Sequence, residues 1–342
     1  MPRLSRWALC GALAAIFTVA GYGRAQSPLP QGTPSLDGTM PLQEFSPFDG
    51  VPAGAEARAT STSGGGDTDP PPLTLWNFFT EGWGQEYTRR SSEDRAPDLA
   101  LLRVQTNFME RELRINYANT NNFHNTKQVN LNNFDYFLAY AFDRRFMVEV
   151  FGNEQWIDGR GKNPDEAGPT ARFVTRLQLI STADCSYSFN SQVIAPDPSL
   201  GTHQTTISYG LAGFNDLTKL GLYRVGLYYS VLFDSLDGHH AIGATRADVQ
   251  YDVSVAKTLT RPATPLIGNF TVFLEAFAQT NLDGAHDDST LVTLTPGIRF
   301  NLGKPGWPGF GLDNWVMFGT DMPVSGPKPW DAIYRFTYIK NF

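Results

Sequence analysis

Residues Tyr334-Arg-Phe-Thr-Tyr-Ile-Lys-Asn-Phe342, YRFTYIKNF, set Tyr334, Phe336, Tyr338 and Phe342 against Arg335, Thr337, Ile339 and Asn341. A period of two is that of a β-strand with an apolar medium on one side and a wetter one on the other. The same period recurs upstream. In NFDYFLAYAF, Phe134, Tyr136, Leu138, Tyr140 and Phe142 share a face, while Asp135, Phe137, Ala139 and Ala141 share the other. In YRVGLYYSVLF, Tyr223, Val225, Leu227, Tyr229, Val231 and Phe233 oppose Arg224, Gly226 and Ser230. In TRADVQYDVSVAK, Val249, Tyr251, Val253 and Val255 oppose Arg246, Asp248, Gln250, Asp252 and Ser254. In LVTLTPGIRF, Val292, Leu294, Ile298 and Phe300 oppose Thr293, Thr295 and Arg299. Pro296 falls on the apolar face, which requires an edge, a bulge or a kink. A helical period would scatter the valines around Asp248 and Asp252.

From about residue 100 these segments are joined by alternating short and long connections. Asp143-Arg-Arg, Thr182-Ala-Asp and Phe214-Asn-Asp read as tight turns, with 259–267 and 302–312 on the same side. Those near 119–128, 158–169, 196–203, 234–242, 282–288 and 322–329 are longer and polar. A three-residue loop at Asp143 places Phe142 against Phe146 and Tyr140 against Val148, which keeps the apolar faces together. About twelve strands result. The first, in RVQTNFMERELRINY, changes apolar phase between Phe108 and Leu113, so it carries a bulge or starts later. LTLWNFFTEGWGQEY (73–87) would spoil an even strand count. The segment 73–99 is therefore read as a periplasmic or plug segment ahead of a barrel at 100–342.

The totals narrow the class. A net charge of -7 gives no basic field for nucleic acid. Aromatics reach 13% while charged residues stay at 18%. A mean hydropathy of -0.27 is too polar for a bundle of membrane helices, and past the N-terminus there is no run of about 18 apolar residues. Arg3 and Arg6, an apolar stretch from Trp7 to about Tyr22, and Gly23-Arg24-Ala25 read as a signal peptide over 1–25, a permanent anchor being the alternative. Cleavage leaves Cys185 without an intrachain partner. Residues 26–72, ending in TSTSGGGDTDPPP, read as a disordered Pro/Gly/Ser-rich linker.

One alternating strand would ordinarily rest on a soluble core. Here the apolar face is wide and aromatic on nearly every strand, the opposite face mixes small and charged residues, and short turns alternate with long loops. Together these fit an antiparallel, up-and-down transmembrane β-barrel (all-β), whose sheet must close because lipid offers no hydrogen bonds. Tyr334, Phe336, Tyr338 and Phe342 resemble the C-terminal insertion signal of Gram-negative outer-membrane β-barrels. Lys340 departs from that pattern. The resemblance implies outer-membrane lipid and the barrel-assembly machinery as partners. Aromatic rims are expected at Phe142, Phe146, Tyr187 and Phe342 on the short-turn side, and at Tyr117, Phe134, Trp156, Phe233 and Trp330 on the other. The last third, TPGIRFNLG…NWVMFGTDMPVSG…WDAIYRFTYIKNF, is similar to barrels grouped as "MetA-pathway of phenol degradation", transporters of hydrophobic compounds. That resemblance implies a class and no site residues.

The inward set is expected to line a lumen: Asp135, Glu149, Arg172, Arg176, Arg224, Arg246, Asp248, Asp252, Glu275, Arg299 and Arg335, together with Glu110, Glu112 and Arg114. Its signs balance, which leaves two readings open: a structural ionic network, or arginines lining a substrate path. Glu149 and Arg176 flank the same long loop at similar depth and could pair. All five histidines (His124, His203, His239, His240, His286) fall in long loops. DSLDGHH (234–240) and DGAHDDS (283–289) read first as solvated loops, with metal binding or a rim protease behind. The expected function is passive passage of a small, hydrophobic or aromatic solute, with no catalytic residue, metal or cofactor. A barrel acting through its outer loops and an outer-rim hydrolase are the alternatives.

Overall fold

The computed structural model describes residues 71–87, 95–105, 107–123, 129–159, 165–195, 204–238, 247–282, 289–302, 313–326 and 328–342. The signal-peptide stretch, linker residues 26–70, the five histidines, Arg246 and 283–288 lie outside them. Within the compact unit that includes Pro72–Phe342, twelve strands form. They are β1 (Arg111–Asn121), β2 (Val129–Ala141), β3 (Phe146–Gly159), β4 (Asp165–Ser181), β5 (Cys185–Ile194) and β6 (Gln204–Asp216). The remainder are β7 (Val225–Gly238), β8 (Ala247–Thr258), β9 (Gly268–Asn281), β10 (Thr290–Asn301), β11 (Asn314–Ser325) and β12 (Ala332–Asn341). Each pairs antiparallel with its sequence neighbours, and β12 returns to β1, so the sheet is a closed barrel without a free edge. The YRFTYIKNF strand is the seam: Tyr338 faces Ile115 on β1 and Val316 on β11.

The period of two becomes inside and outside. On β12, Tyr334 is 51% exposed and Thr337 3%. Lys340 keeps the outward parity of Tyr338. On β2, Tyr136, Leu138 and Tyr140 stand out while Phe137, Ala139 and Ala141 are buried. Large apolar side chains stand exposed from Leu113 and Tyr117 on β1 through Phe173, Tyr209 and Val231 to Phe318 and Val324 on β11. Among the aromatics, Tyr117 lies against Trp156 and Tyr209 against Phe233 toward the long loops, and Tyr187 against Tyr229 toward the short turns.

The β2–β3 turn keeps its three residues. Phe142 N donates to Phe146 O at 3.0 Å, Tyr140 faces Val148, and the Phe142 and Phe146 rings stack at 5.8 Å. Asp143 Oδ1 accepts the backbone N–H of Arg145 and of Phe146, which closes the turn. Three expectations are corrected. Phe214-Asn-Asp is not a turn: β6 runs to Asp216, and the reversal follows through a 3-10 turn at Thr218–Leu220, where Asp216 Oδ1 accepts Thr218 N. The loop expected at 234–242 starts later, because Asp234 faces inward and β7 stays paired with β6 up to Gly238. The barrel begins at Arg111 instead of residue 100, because the described residues of this stretch, 100–105 and 107–110, form no ladder. Pro296 points outward, and the β10–β11 ladder skips Thr295 and Pro296 between Leu294↔Met322 and Gly297↔Gly319.

Residues 73–87 sit against the short-turn end. Leu73 exchanges both backbone hydrogen bonds with Ser181 at 2.9 Å. The fully buried Arg145 guanidinium donates to the carbonyls of Thr74, Asn77, Glu81, Gln178 and Leu179 and to Asn77 Oδ1. Burial, and then Arg144 beside it, pull its pKa below the ordinary arginine value. Gly82, at φ +92°, lies so close that a Cβ would stand 2.7 Å from Arg145 Cγ.

Candidate functional site: the barrel lumen

The inner wall is built by every second residue of each strand, so its chemistry follows from parity. Along β8 it shows Asp248, Gln250, Asp252, Ser254 and Ala256; along β10, Thr293, Thr295 and Arg299. Polar groups turned away from water need partners. Several inner-wall groups, among them Arg299, Glu275 and Arg176, find them in a chain segment that no parity rule governs, residues 95–110.

That segment crosses the interior, and the barrel wall holds it by its backbone. Ala96 N donates to Asp216 Oδ2, and Tyr228 Oη donates to Pro97 O. Arg299 Nη1 donates to the carbonyls of Leu99 and Ala100 at 2.6 and 2.9 Å. The N–H groups of Arg103 and Val104 both donate to Glu275 Oε1 at 3.1 Å. Asn107 exchanges hydrogen bonds with Ser186, and Arg176 Nη1 donates to Phe108 O at 2.8 Å. Side chains seal the contacts. Leu101, Val104 and Phe108 pack with Phe214, Tyr228 and Phe273, and Leu99 packs with Trp315, Met317 and Ile339. Gly319 leaves room for Leu102, whose Cδ1 would lie 2.3 Å from an added Cβ.

Arg103 is the segment's charged latch. Its Nη1 lies 2.6 Å from Asp321 Oδ2, and its guanidinium carbon lies 3.8 Å from the centre of the Phe277 ring. Asp321 is fully buried and shared: Arg335 donates to it from Nε at 2.8 Å, with Nη2 at ion-pair distance, also 2.8 Å, and Thr295 Oγ1 donates to its other oxygen at 2.8 Å. Nearby, Arg176 Nη2 lies 2.5 Å from Glu149 Oε1 and Arg114 Nη2 lies 2.7 Å from Glu112 Oε1. Ion pairs this enclosed fix geometry more surely than they add stability.

Beside residues 101–105 a cavity of about 250 Å³ remains, lined by Arg103, Arg114, Arg172, Arg176 and Arg335, by Asp135 and Glu149, and by Phe137, Phe151 and Phe277. The wall of β7, β8 and β9 is different. Its inner face carries Asp234, Asp248, Asp252 and Glu275, and among the described residues no basic side chain. Asp234 and Asp248 are direct cross-strand neighbours; Gln250 Nε2 donates to Asp234 and Ser230 Oγ to Asp252. The lumen's charges are thus sorted by side, although their totals balance.

The expected lumen residues therefore fall into three groups. Asp135, Glu149, Arg172, Arg176 and Arg335 meet at the cavity. Asp248, Asp252 and Glu275 stand on the acidic wall, Glu275 engaged with the segment. Arg299 holds that segment, and Arg224, which precedes β7 at φ +54°, ties Thr260 O, Asn269 Oδ1 and Arg95 O together at the short-turn end. Arg103 and Asp321 were not anticipated. Asp321 was legible, since it shares the inward parity of Trp315 and Met317. Arg103 was not, because 100–110 reads as the start of a strand.

No family model matches the chain, and no curated protein matches it. Similarity to the phenol-degradation barrels thus rests on the quoted residues alone. Among solved structures, the NanC porin aligns over 67% of this chain and 99% of its own, at 8% identity and a TM-score of 0.47. An outer membrane channel from Pseudomonas putida F1 aligns over 75% and 100%, at 10% identity and 0.49. The translocator domain of the autotransporter NalP from Neisseria meningitidis aligns over 68% and 87%, at 10% identity and 0.36. At such identities the likeness concerns the course of the chain and not its side chains.

Proposed function

We infer that the protein is an outer-membrane channel for small solutes with an apolar or aromatic part. One observation carries this reading: a closed barrel turns apolar and aromatic side chains outward around its circumference and charged ones inward. In water that outer surface would be unfavourable; in lipid it is the expected solvent-facing side. The phenyl rings of Phe137, Phe151 and Phe277 beside the cavity favour solutes with an apolar body. Residues 95–110 narrow the bore, so passage requires this segment to shift, and conduction is gated. The test is single-channel recording of the purified full chain in planar bilayers. Discrete conductance steps are expected, with brief openings from a mostly closed level. A protein that stays in the detergent-free fraction, or one that inserts and shows neither conductance nor solute uptake into liposomes, overturns the reading. A barrel that instead works through its surface loops would keep ligand binding without flux and lose it on loop deletion. The rim-hydrolase alternative rests on Asp283, His286 and Asp287, which lie outside the described residues.

A further inference from the structure

Four of the five cavity arginines are spoken for: Arg103 and Arg335 by Asp321, Arg114 by Glu112, and Arg176 by Glu149. Arg172 is different. It points inward from β4 with its guanidinium carbon 3.6 Å from the centre of the Phe151 ring, and among the described residues its side chain makes no hydrogen bond and no ion-pair contact, Glu149 and Asp135 acting on it only from farther off. Phe151 in turn packs on Phe137, ring centres 4.3 Å apart. A guanidinium stacked by one face is held in place while its edge N–H groups stay free. Those edges form the planar fork that matches a carboxylate, and Arg172 is only half-buried, on the surface of the cavity. With Asp321 and Glu112 counted, the five guanidiniums meet four carboxylates, of which Asp135 alone makes no ion-pair contact.

We propose that Arg172, backed by Phe151, is a binding subsite for the anionic group of an aromatic carboxylate, whose ring lies in the cavity beside Phe151 and Phe277. This deepens the channel reading above and rests on it. The volume of about 250 Å³ lies just under the usual range for small-molecule sites, about 300–1,000 Å³, and so selects a single ring over a larger solute. A carboxylate enters without displacing an existing pair, because Arg172 has none to break.

The experiment measures binding of benzoate, benzamide and acetate to the full chain in detergent micelles by calorimetry. In parallel, uptake of a neutral sugar, arabinose, is followed into liposomes bearing the same protein. Benzoate should bind at least tenfold more tightly than benzamide or acetate. Arg172→Gln should abolish that preference and Arg172→Lys restore part of it, with unchanged heat-modifiable migration for both. Because Arg172 makes no ion pair, its loss should leave the fold intact; the comparison of the three probes on the unaltered protein needs no variant at all. Equal binding of benzoate and benzamide, or of benzoate to the Gln variant, overturns the subsite. Acetate binding as tightly as benzoate overturns its aromatic part. Arabinose uptake with no benzoate preference removes the subsite and leaves the channel standing. Benzoate preference with neither uptake nor single-channel conductance removes the channel and leaves the subsite.

Discussion

Replacing Arg103 by alanine should release the segment inside the barrel without damaging the barrel itself. The guanidinium makes a 2.6 Å ion pair with Asp321 and covers the Phe277 ring at 3.8 Å. A hydrogen bond to a charged group contributes about 1.5–3 kcal/mol, and a partly desolvated cation–π contact about 0.5–2 kcal/mol. Together they hold the segment by roughly 2–5 kcal/mol, which raises the displaced population between about thirtyfold and a few thousandfold when lost. The barrel is spared because Asp321 is not orphaned: Arg335 and Thr295 still donate to it. Asp321→Ala is the contrast. It strands both Arg103 and Arg335, and breaking a buried pair from one side costs about 3–5 kcal/mol, here charged partly to the sheet. Single-channel recording gives the open probability, and thermal loss of heat-modifiable migration gives barrel stability. Arg103→Ala should raise the first and leave the second unchanged, whereas Asp321→Ala should lower the second as well. An open probability equal to that of the unaltered protein in Arg103→Ala refutes the latch.

Arg145→Ala removes the donor that joins five carbonyls and Asn77 Oδ1 across the short-turn end, so residues 73–87 should detach. Chymotrypsin should cut there, at Trp76, Phe78 or Phe79, at least tenfold faster, and unchanged cleavage would count against the docking role. Glu149→Ala leaves the buried Arg176 without its 2.5 Å partner and should destabilise the folded barrel by about 3–5 kcal/mol, read as a lower urea midpoint; a midpoint within error of the parent contradicts this. Phe342→Ala should reduce the amount of folded barrel recovered from outer membranes several-fold. Refolding of the same variant into detergent should be normal, which separates an insertion signal from a stability effect.

Twelve strands, their inside and outside faces and the Asp143 turn were readable because an apolar outer side and a polar lumen impose a strict period of two on each strand. Tyr136, Leu138 and Tyr140 could only face one way once Phe142 and Phe146 were joined by three residues. Strand ends were less legible. Asn215 and Asp216 look like turn residues, yet the Asp216 carboxylate accepts the backbone N–H groups of Ala96 and Thr218 at the end of β6. Residues 100–110 misled for a different reason. Leu101, Val104, Phe108 and Arg103 are polar and apolar in the proportions of a strand, but their partners lie on β6, β7, β9 and β11, far away in sequence.

Alternation along the chain by itself determined that this is a sheet with two unlike sides, and the seam strand YRFTYIKNF already carried both. Only the tertiary structure decided what the wet side contains. Closure of β12 on β1 sets β7 to β9 opposite the strands that carry the arginines, so charges that merely balance in the sequence become an acidic wall and a basic cavity. It also brings Asp321 to Arg103 across 218 residues and leaves Arg172 stacked on a ring with no carboxylate in ion-pair contact. Periodicity is a local property fixed by backbone geometry, whereas pairing across a lumen depends on which strands the closed sheet brings face to face.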